Sequence, residues 1–134
     1  LIIESIHKPA HFYNINKPDE LFNTQALKGK TVTLFSGIGD PYSFENLISS
    51  LGIKIGLSFR FSDHHNYTIK DLDNIICSCK DKNIDTIITT QKDAARLHDL
   101  ALASFTLQLL VLRIELVLKD EQSLYSRLLR LYSL

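Results

Sequence analysis

Residues 31–52 read TVTLFSGIGDPYSFENLISSLG, and the class of fold is decided there. Thr31 to Phe35 is a β-branched and aromatic run that stops at Ser36-Gly37-Ile38-Gly39. Asp40 then stands where a helix cap is wanted, with Pro41 in the first helical position. Phe44, Leu47, Ile48 and Leu51 follow i, i+3, i+4, i+7 spacing, so the helix buries one face, and Gly52 occupies the left-handed position past its end. A strand feeding a helix through a glycine turn is one unit of an α/β sheet.

Working outward, the unit recurs. Residues 53–61 alternate strictly, which predicts a half-exposed strand with Ile53, Ile55, Leu57, Phe59 and Phe61 all on one face. Thr68 caps the next helix with Asp71 at N3; Leu72, Ile75, Ile76 and Cys79 form its buried stripe, and Asn83 ends it. Residues 86–90 read as a central strand, Asp93 to about Leu102 as a helix capped by Asp93, and 107–118 as a long strand. Asp120 caps a last helix buried through Leu124, Leu128 and Leu131. This alternation predicts an α/β fold: a mostly parallel open sheet flanked by helices, Rossmann-like. Residues 1–6 and 11–15 read as two short strands turning at Lys8-Pro9, followed by a polar connector at Lys17-Pro18-Asp19-Glu20. Residues 1–26 are therefore expected to be a two-stranded linker and residues 27–134 the α/β domain.

Composition narrows the partners. The 134 residues include 15 basic and 15 acidic side chains, a formal net charge of zero, so no global field draws the chain to nucleic acid or to an anionic bilayer. Cys77 and Cys79 cannot build a disulfide framework, which suits a reducing compartment. Apolar residues 100–112 are interrupted by Gln108 and fall short of the roughly twenty residues a bilayer span needs, and no signal peptide opens the sequence. Methionine is absent and position 1 is Leu, so the chain is expected to be part of a longer one.

In an open α/β sheet ligands bind outside the carboxyl ends of the strands, and three stretches fall there. At Ser36-Gly37-Ile38-Gly39-Asp40-Pro41, Gly37 and Gly39 let backbone N–H groups approach an anion at a helix start, or serve only the turn. At Ser62-Asp63-His64-His65-Asn66-Tyr67, a carboxylate beside imidazoles supplies groups that orient one another, move a proton or bind a metal, or else form a solvated turn. At Thr89-Thr90-Gln91-Lys92-Asp93-Ala94-Ala95-Arg96, the hydroxyls of Thr89 and Thr90 with Lys92 and Arg96 suit phosphate or carboxylate recognition. Gly29-Lys30-Thr31 imitates the end of a P-loop, but position 24 is Thr and a strand follows, so it is not one. His7 and His11 straddle Pro9 and make a poor metal pair, His98 reads as a surface helix residue, and Cys79 as a buried structural thiol.

In order along the chain, four pieces resemble the C-terminal half of the tetraacyldisaccharide 4′-kinase (lipid A 4′-kinase) family. They are Leu27-Lys28-Gly29-Lys30; Phe35-Ser36-Gly37-Ile38-Gly39-Asp40-Pro41 with Phe44; Phe61-Ser62-Asp63-His64-His65-Asn66-Tyr67-Thr68 with Asp71; and Thr89-Thr90-Gln91-Lys92-Asp93 with Arg96. The resemblance covers roughly residues 25–118. It implies transfer of the γ-phosphoryl group of ATP, with Mg²⁺, to the 4′-hydroxyl of a lipid A disaccharide precursor, peripherally at the cytoplasmic face of the inner membrane. It also implies that the ATP cradle, the metal site and the membrane-associating helix belong to the N-terminal half, so this stretch alone phosphorylates nothing. Within the stretch it implies that His64, rather than His65, is the His of a catalytic Asp-His pair whose Asp comes from that other half. Asp63 beside it is expected among the catalytic residues, and Gly37, Gly39, Thr89, Thr90 and Lys92 among the cofactor-binding ones; no metal ligand is expected. Gln91 departs from the family's usual Glu and leaves that position without a role. Two rivals remain: a DHH-type phosphoesterase using Asp63, His64 and His65 on Mn²⁺, and a non-catalytic α/β ligand-binding domain.

Overall fold

The computed structural model describes residues 5–97 and 107–118. In chain order these residues form β1 (Ser5–Asn14), β2 (Lys17–Phe22), β3 (Thr31–Ser36), α1 (Pro41–Ser50), β4 (Lys54–Arg60), α2 (Ile69–Asp81), β5 (Thr86–Thr90), α3 (Gln91–Ala95) and β6 (Gln108–Leu118). One six-stranded sheet holds every strand, in the order β2-β1-β6-β5-β3-β4. The four strands β6, β5, β3 and β4 run parallel, and the β1–β2 hairpin joins them antiparallel through β1 and β6.

Local chemistry sets the boundaries as the sequence predicts. Asp40 caps α1 through the Ser43 N–H at 3.1 Å, with Pro41 inside the first turn, and Gly52 beyond the helix takes a φ of 77°. Thr68 and Asp71 form a reciprocal capping box at the start of α2. The helices then cover opposite faces of the sheet. Phe44 and Ile48 of α1 pack on Val32, Leu34, Ile88 and Leu110, whereas Leu72, Ile75 and Cys79 of α2 pack on Phe35, Ile87 and Leu109. Neighbouring strand residues serve opposite cores, so β3 and β5 are buried along almost their whole length. The Cys79 thiol meets the Thr33 hydroxyl at 3.1 Å, and burial pushes its pKa up.

The crossovers reverse at β3, with β4 on one side and β5 on the other. That is the topological switch point, where open α/β sheets form a crevice outside the carboxyl ends of their strands, here those of β3 and β5. Among the described residues no helix is long and apolar enough to cross a membrane.

Four expectations are corrected. Ile53 and Ile55 pack with the α1 core, but Leu57, Phe59 and Phe61 pack with the α2 core. The cause is a bulge: Val32 pairs with Ile55 and Thr33 with Leu57, which leaves Gly56 as an extra residue and turns the later side chains to the other face. The hairpin turns at Ile15 and Asn16, not at Lys8-Pro9; β1 runs through Pro9 with a register shift between Pro9 and His11. Lys17–Phe22 is a strand rather than a connector, an exposed edge on which Pro18 and the charged side chains discourage further pairing. Helix α3 ends at Ala95, and Thr90 rather than Asp93 is its N-cap. The helix residues expected after Leu97, His98 among them, and the final helix of Asp120, Leu124, Leu128 and Leu131 lie outside the described residues.

At Gly56 an added Cβ would stand 2.7 Å from Ile84 Cδ1 and 2.8 Å from Thr31 Cγ2. Gly56→Ala is therefore expected to cost about 1–3 kcal/mol, read as a lower urea midpoint at unchanged slope.

Candidate functional site at the ends of β3, β4 and β5

The three stretches singled out in the sequence meet at the switch point. They are held together by Asp93, a carboxylate with 0% exposed surface. Its Oδ1 accepts from the Gly37 N–H at 2.9 Å and from the Tyr67 hydroxyl at 2.8 Å, with Arg96 Nη1 3.4 Å away. Its Oδ2 accepts from the Thr90 hydroxyl at 2.6 Å. Burial, and then the Asp93 carboxylate beside it, pushes the Tyr67 phenol far above its usual range, so Tyr67 is a fixed donor.

Gly37 sits at the crowded centre. A Cβ there would lie 2.9 Å from the Ser62 carbonyl oxygen, 3.2 Å from His65 Cβ and 3.2 Å from the Tyr67 oxygen, so only glycine lets the β3 turn pass beneath the Ser62–Tyr67 loop. Its carbonyl accepts from Arg96 Nη1 at 2.8 Å and from the His64 N–H at 3.2 Å.

The adjacent histidines part company. The His65 ring stacks on Phe61 at 4.6 Å between centroids, meets Tyr67 edge-on at 4.9 Å, and shares a 2.9 Å hydrogen bond between Nε2 and Asp71 Oδ2. Burial pushes the Asp71 carboxyl up, but the bonds from His65 and Thr68 outweigh it and hold the group below the usual carboxylate range. His64 has a left-handed φ of 61°, which His tolerates better than most residues, and its side chain is 81% exposed at the rim. Arg96 Nη2 lies 3.2 Å from its Nδ1, and Asp63 Oδ2 lies 3.7 Å from its Nε2.

The remaining candidates divide in the same way. The Thr89 hydroxyl donates to the Phe35 carbonyl at 2.9 Å and the Thr90 hydroxyl to Asp93, so both face inward. The Gly37 N–H, expected to face an anion, is occupied by Asp93. Gly39, Asp63 and Lys92 are exposed around the rim. Gly29 closes a turn by donating its N–H to the Gly52 carbonyl at 2.7 Å, and Lys30 pairs with Asp85 at 3.0 Å, so neither forms a phosphate cradle. For a metal, the two imidazoles diverge, and a guanidinium occupies His64 Nδ1 where a cation's ligands should carry negative charge. No group of three or more His, Cys, Asp or Glu side chains suited to a metal occurs among the described residues. Sequence reasoning missed Asp93 as the hub and Tyr67 as its donor. The signal was present, because Thr90-x-x-Asp93 repeats the spacing of Thr68-x-x-Asp71.

A family model described as Tetraacyldisaccharide-1-P 4'-kinase matches residues 3–133. A tetraacyldisaccharide 4'-kinase of Rhodopseudomonas palustris is 37% identical over 107 residues, 80% of this chain and 31% of that protein. One of Nitrobacter winogradskyi is 34% identical over 113 residues, 84% of this chain and 33% of that protein. The chain thus spans about a third of the length of these relatives. A crystal structure of LpxK from Aquifex aeolicus in complex with ATP shares the fold with a TM-score of 0.59 at 22% identity, over 96% of this chain and 35% of that one.

Two measurements test the geometry. Tyr67→Phe removes one donor to a buried charge and is expected to cost about 1.5–3 kcal/mol, and Asp93→Ala, which strands several buried donors, about 3–5 kcal/mol, both by urea unfolding. The second concerns pH. The folded pKa of Asp71 lies below its unfolded value of about 4, so its stabilisation is present above that value and lost as pH falls through the folded one. Asp71→Asn should therefore flatten the decline of the unfolding midpoint on acidification.

Proposed function

Because the chain belongs to the tetraacyldisaccharide-1-P 4'-kinase family, we propose that it is the C-terminal portion of a transferase of lipid A biosynthesis. That enzyme moves the γ-phosphoryl group of ATP to the 4′-hydroxyl of a tetraacyldisaccharide 1-phosphate, peripherally at the cytoplasmic face of the inner membrane. Phosphoryl transfer asks a protein for positioning and charge stabilisation more than for covalent chemistry. The part assigned to this chain is a positioned imidazole. His64 stands at the rim of the switch-point crevice with its main chain bonded to Gly37, its Nδ1 beside Arg96, and its ring otherwise exposed, and this observation carries the reading.

In this reading a carboxylate from the rest of the enzyme accepts the proton of the sugar hydroxyl, and His64 orients it. Asp63, 3.7 Å from Nε2, adds negative charge on the same edge of the ring without reaching hydrogen-bond distance. Gly39 and Lys92, exposed beside the rim, are the residues of this chain best placed to meet phosphate oxygens. The residues that mimic a P-loop are bound into a turn and an ion pair, so in this reading the nucleotide cradle and its metal belong to the remainder of the enzyme. When bound there, the metal neutralises phosphate charge.

In the intact enzyme carrying this segment, His64→Ala should lower kcat by about 10²–10⁴-fold while KM stays close to the parent's and the urea midpoint falls only slightly, alanine being less at ease than histidine at a φ of 61°. His65→Ala should instead lower the urea midpoint, because its ring is packed and bonded within the loop. A His64→Ala enzyme of parental kcat would remove His64 from the reaction.

A further inference from the structure

We propose that Arg96 is a positioning residue for His64: by donating from Nη2 to Nδ1 it holds the ring in the Nε2–H tautomer, with its single proton on the edge that faces out of the crevice. The reading of His64 as part of a kinase decides only what this proton finally meets; the tautomer is a property of the chain itself.

A guanidinium carries five N–H donors and no acceptor. At 3.2 Å it can face His64 Nδ1 only as the donor, so Nδ1 is the bare nitrogen. In a neutral imidazole the remaining proton then sits on Nε2. Arg96 is itself fixed, since Nη1 donates to the Gly37 carbonyl at 2.8 Å and lies 3.4 Å from the buried Asp93 Oδ1. The same Gly37 carbonyl accepts the His64 N–H at 3.2 Å. One peptide group therefore anchors both the backbone of His64 and the cation that orients its ring. The fork geometry matters, because Nη1 serves the carbonyl while Nη2 serves the ring, a division that a lysine ammonium at the end of a flexible stem does not reproduce.

The chemical consequence is direct. An Nε2–H edge attracts a carboxylate and holds it as the anion, whereas a ring protonated on Nδ1 would present a bare lone pair and repel it. The only carboxylate on that edge among the described residues, Asp63, stays 3.7 Å away, so the proton is left for an acceptor brought from outside.

The test is long-range ¹H–¹⁵N correlation on the uniformly ¹⁵N-labelled chain, at a pH where the ring is neutral. A pyridine-like Nδ1, a pyrrole-like Nε2 and a through-hydrogen-bond coupling between Arg96 Nη2 and His64 Nδ1 are expected. Arg96→Met should abolish the coupling and raise the Nδ1–H population several-fold, and Arg96→Lys should not restore the parental pattern. A parental Nδ1–H ring, or a folded Arg96→Met chain with the parental tautomer populations, overturns the proposal. Should Arg96→Met fail to fold, the parental coupling decides, its presence supporting the proposal and its absence at low temperature overturning it. These spectra do not depend on activity, so failure here is distinct from failure of the His64→Ala kinetics.

Discussion

The buried carboxylate of Asp93 is the constraint on which the site depends. An ionised group without exposed surface is tolerated only when its oxygens are met by donors. Here the donors come from separate parts of the chain: the turn after β3, the loop before α2, the end of β5 and the residue that follows α3. Satisfying one charge therefore brings three strand ends into register. A hydrophobic filler could hold the same volume, but it would leave the Gly37 N–H and the Tyr67 hydroxyl without acceptors and would fix no directions.

The sheet supplies the place and the network supplies the content. Reversal of the crossovers at β3 opens a crevice that, in many α/β proteins, a ligand fills from outside. Here the inner part is filled by the protein's own Asp93, Tyr67 and Arg96, and only the rim is left for other groups. The Gly37 N–H and the Thr89 and Thr90 hydroxyls, which the sequence offered to an anion, are turned inward, while Gly39, His64, Asp63 and Lys92 remain on the outside. The crevice thus behaves as a rigid mount for a rim residue rather than as a cradle.

Much of this was legible in the sequence, for identifiable reasons. Caps such as Asp40 and Thr68 act over three residues, and periodicity such as Phe44, Leu47 and Ile48 acts within a helix, so local reading recovers both. The alternation of residues 53–61 was read as a single face because period two is blind to an extra residue; Gly56 carried the warning, but its consequence depends on pairing with β3. The β1–β2 hairpin was misplaced because Pro9 looks like a turn yet sits at a register shift where a missing N–H is tolerated. Asp93 was read as a cap because a cap is local, whereas its bonds to Gly37 and Tyr67 span 56 and 26 residues of sequence.

The different settings of two adjacent, chemically identical side chains follow from the backbone. Had the loop continued in extended conformation, His64 and His65 would still have pointed apart, but the N–H of His64 would have had no reason to face the Gly37 carbonyl. A φ of 61° turns that N–H inward and leaves the side chain on the rim, while the next residue falls back against Phe61 and Tyr67. The left-handed conformation costs energy for most residues with a Cβ and is tolerated best by Gly, Asn, Asp and His. Glycine would adopt it at lowest cost but has no ring to present. The position therefore demands both a backbone that accepts positive φ and a side chain with two distinct nitrogens, one to be held from beneath and one to face outward. Histidine satisfies both requirements.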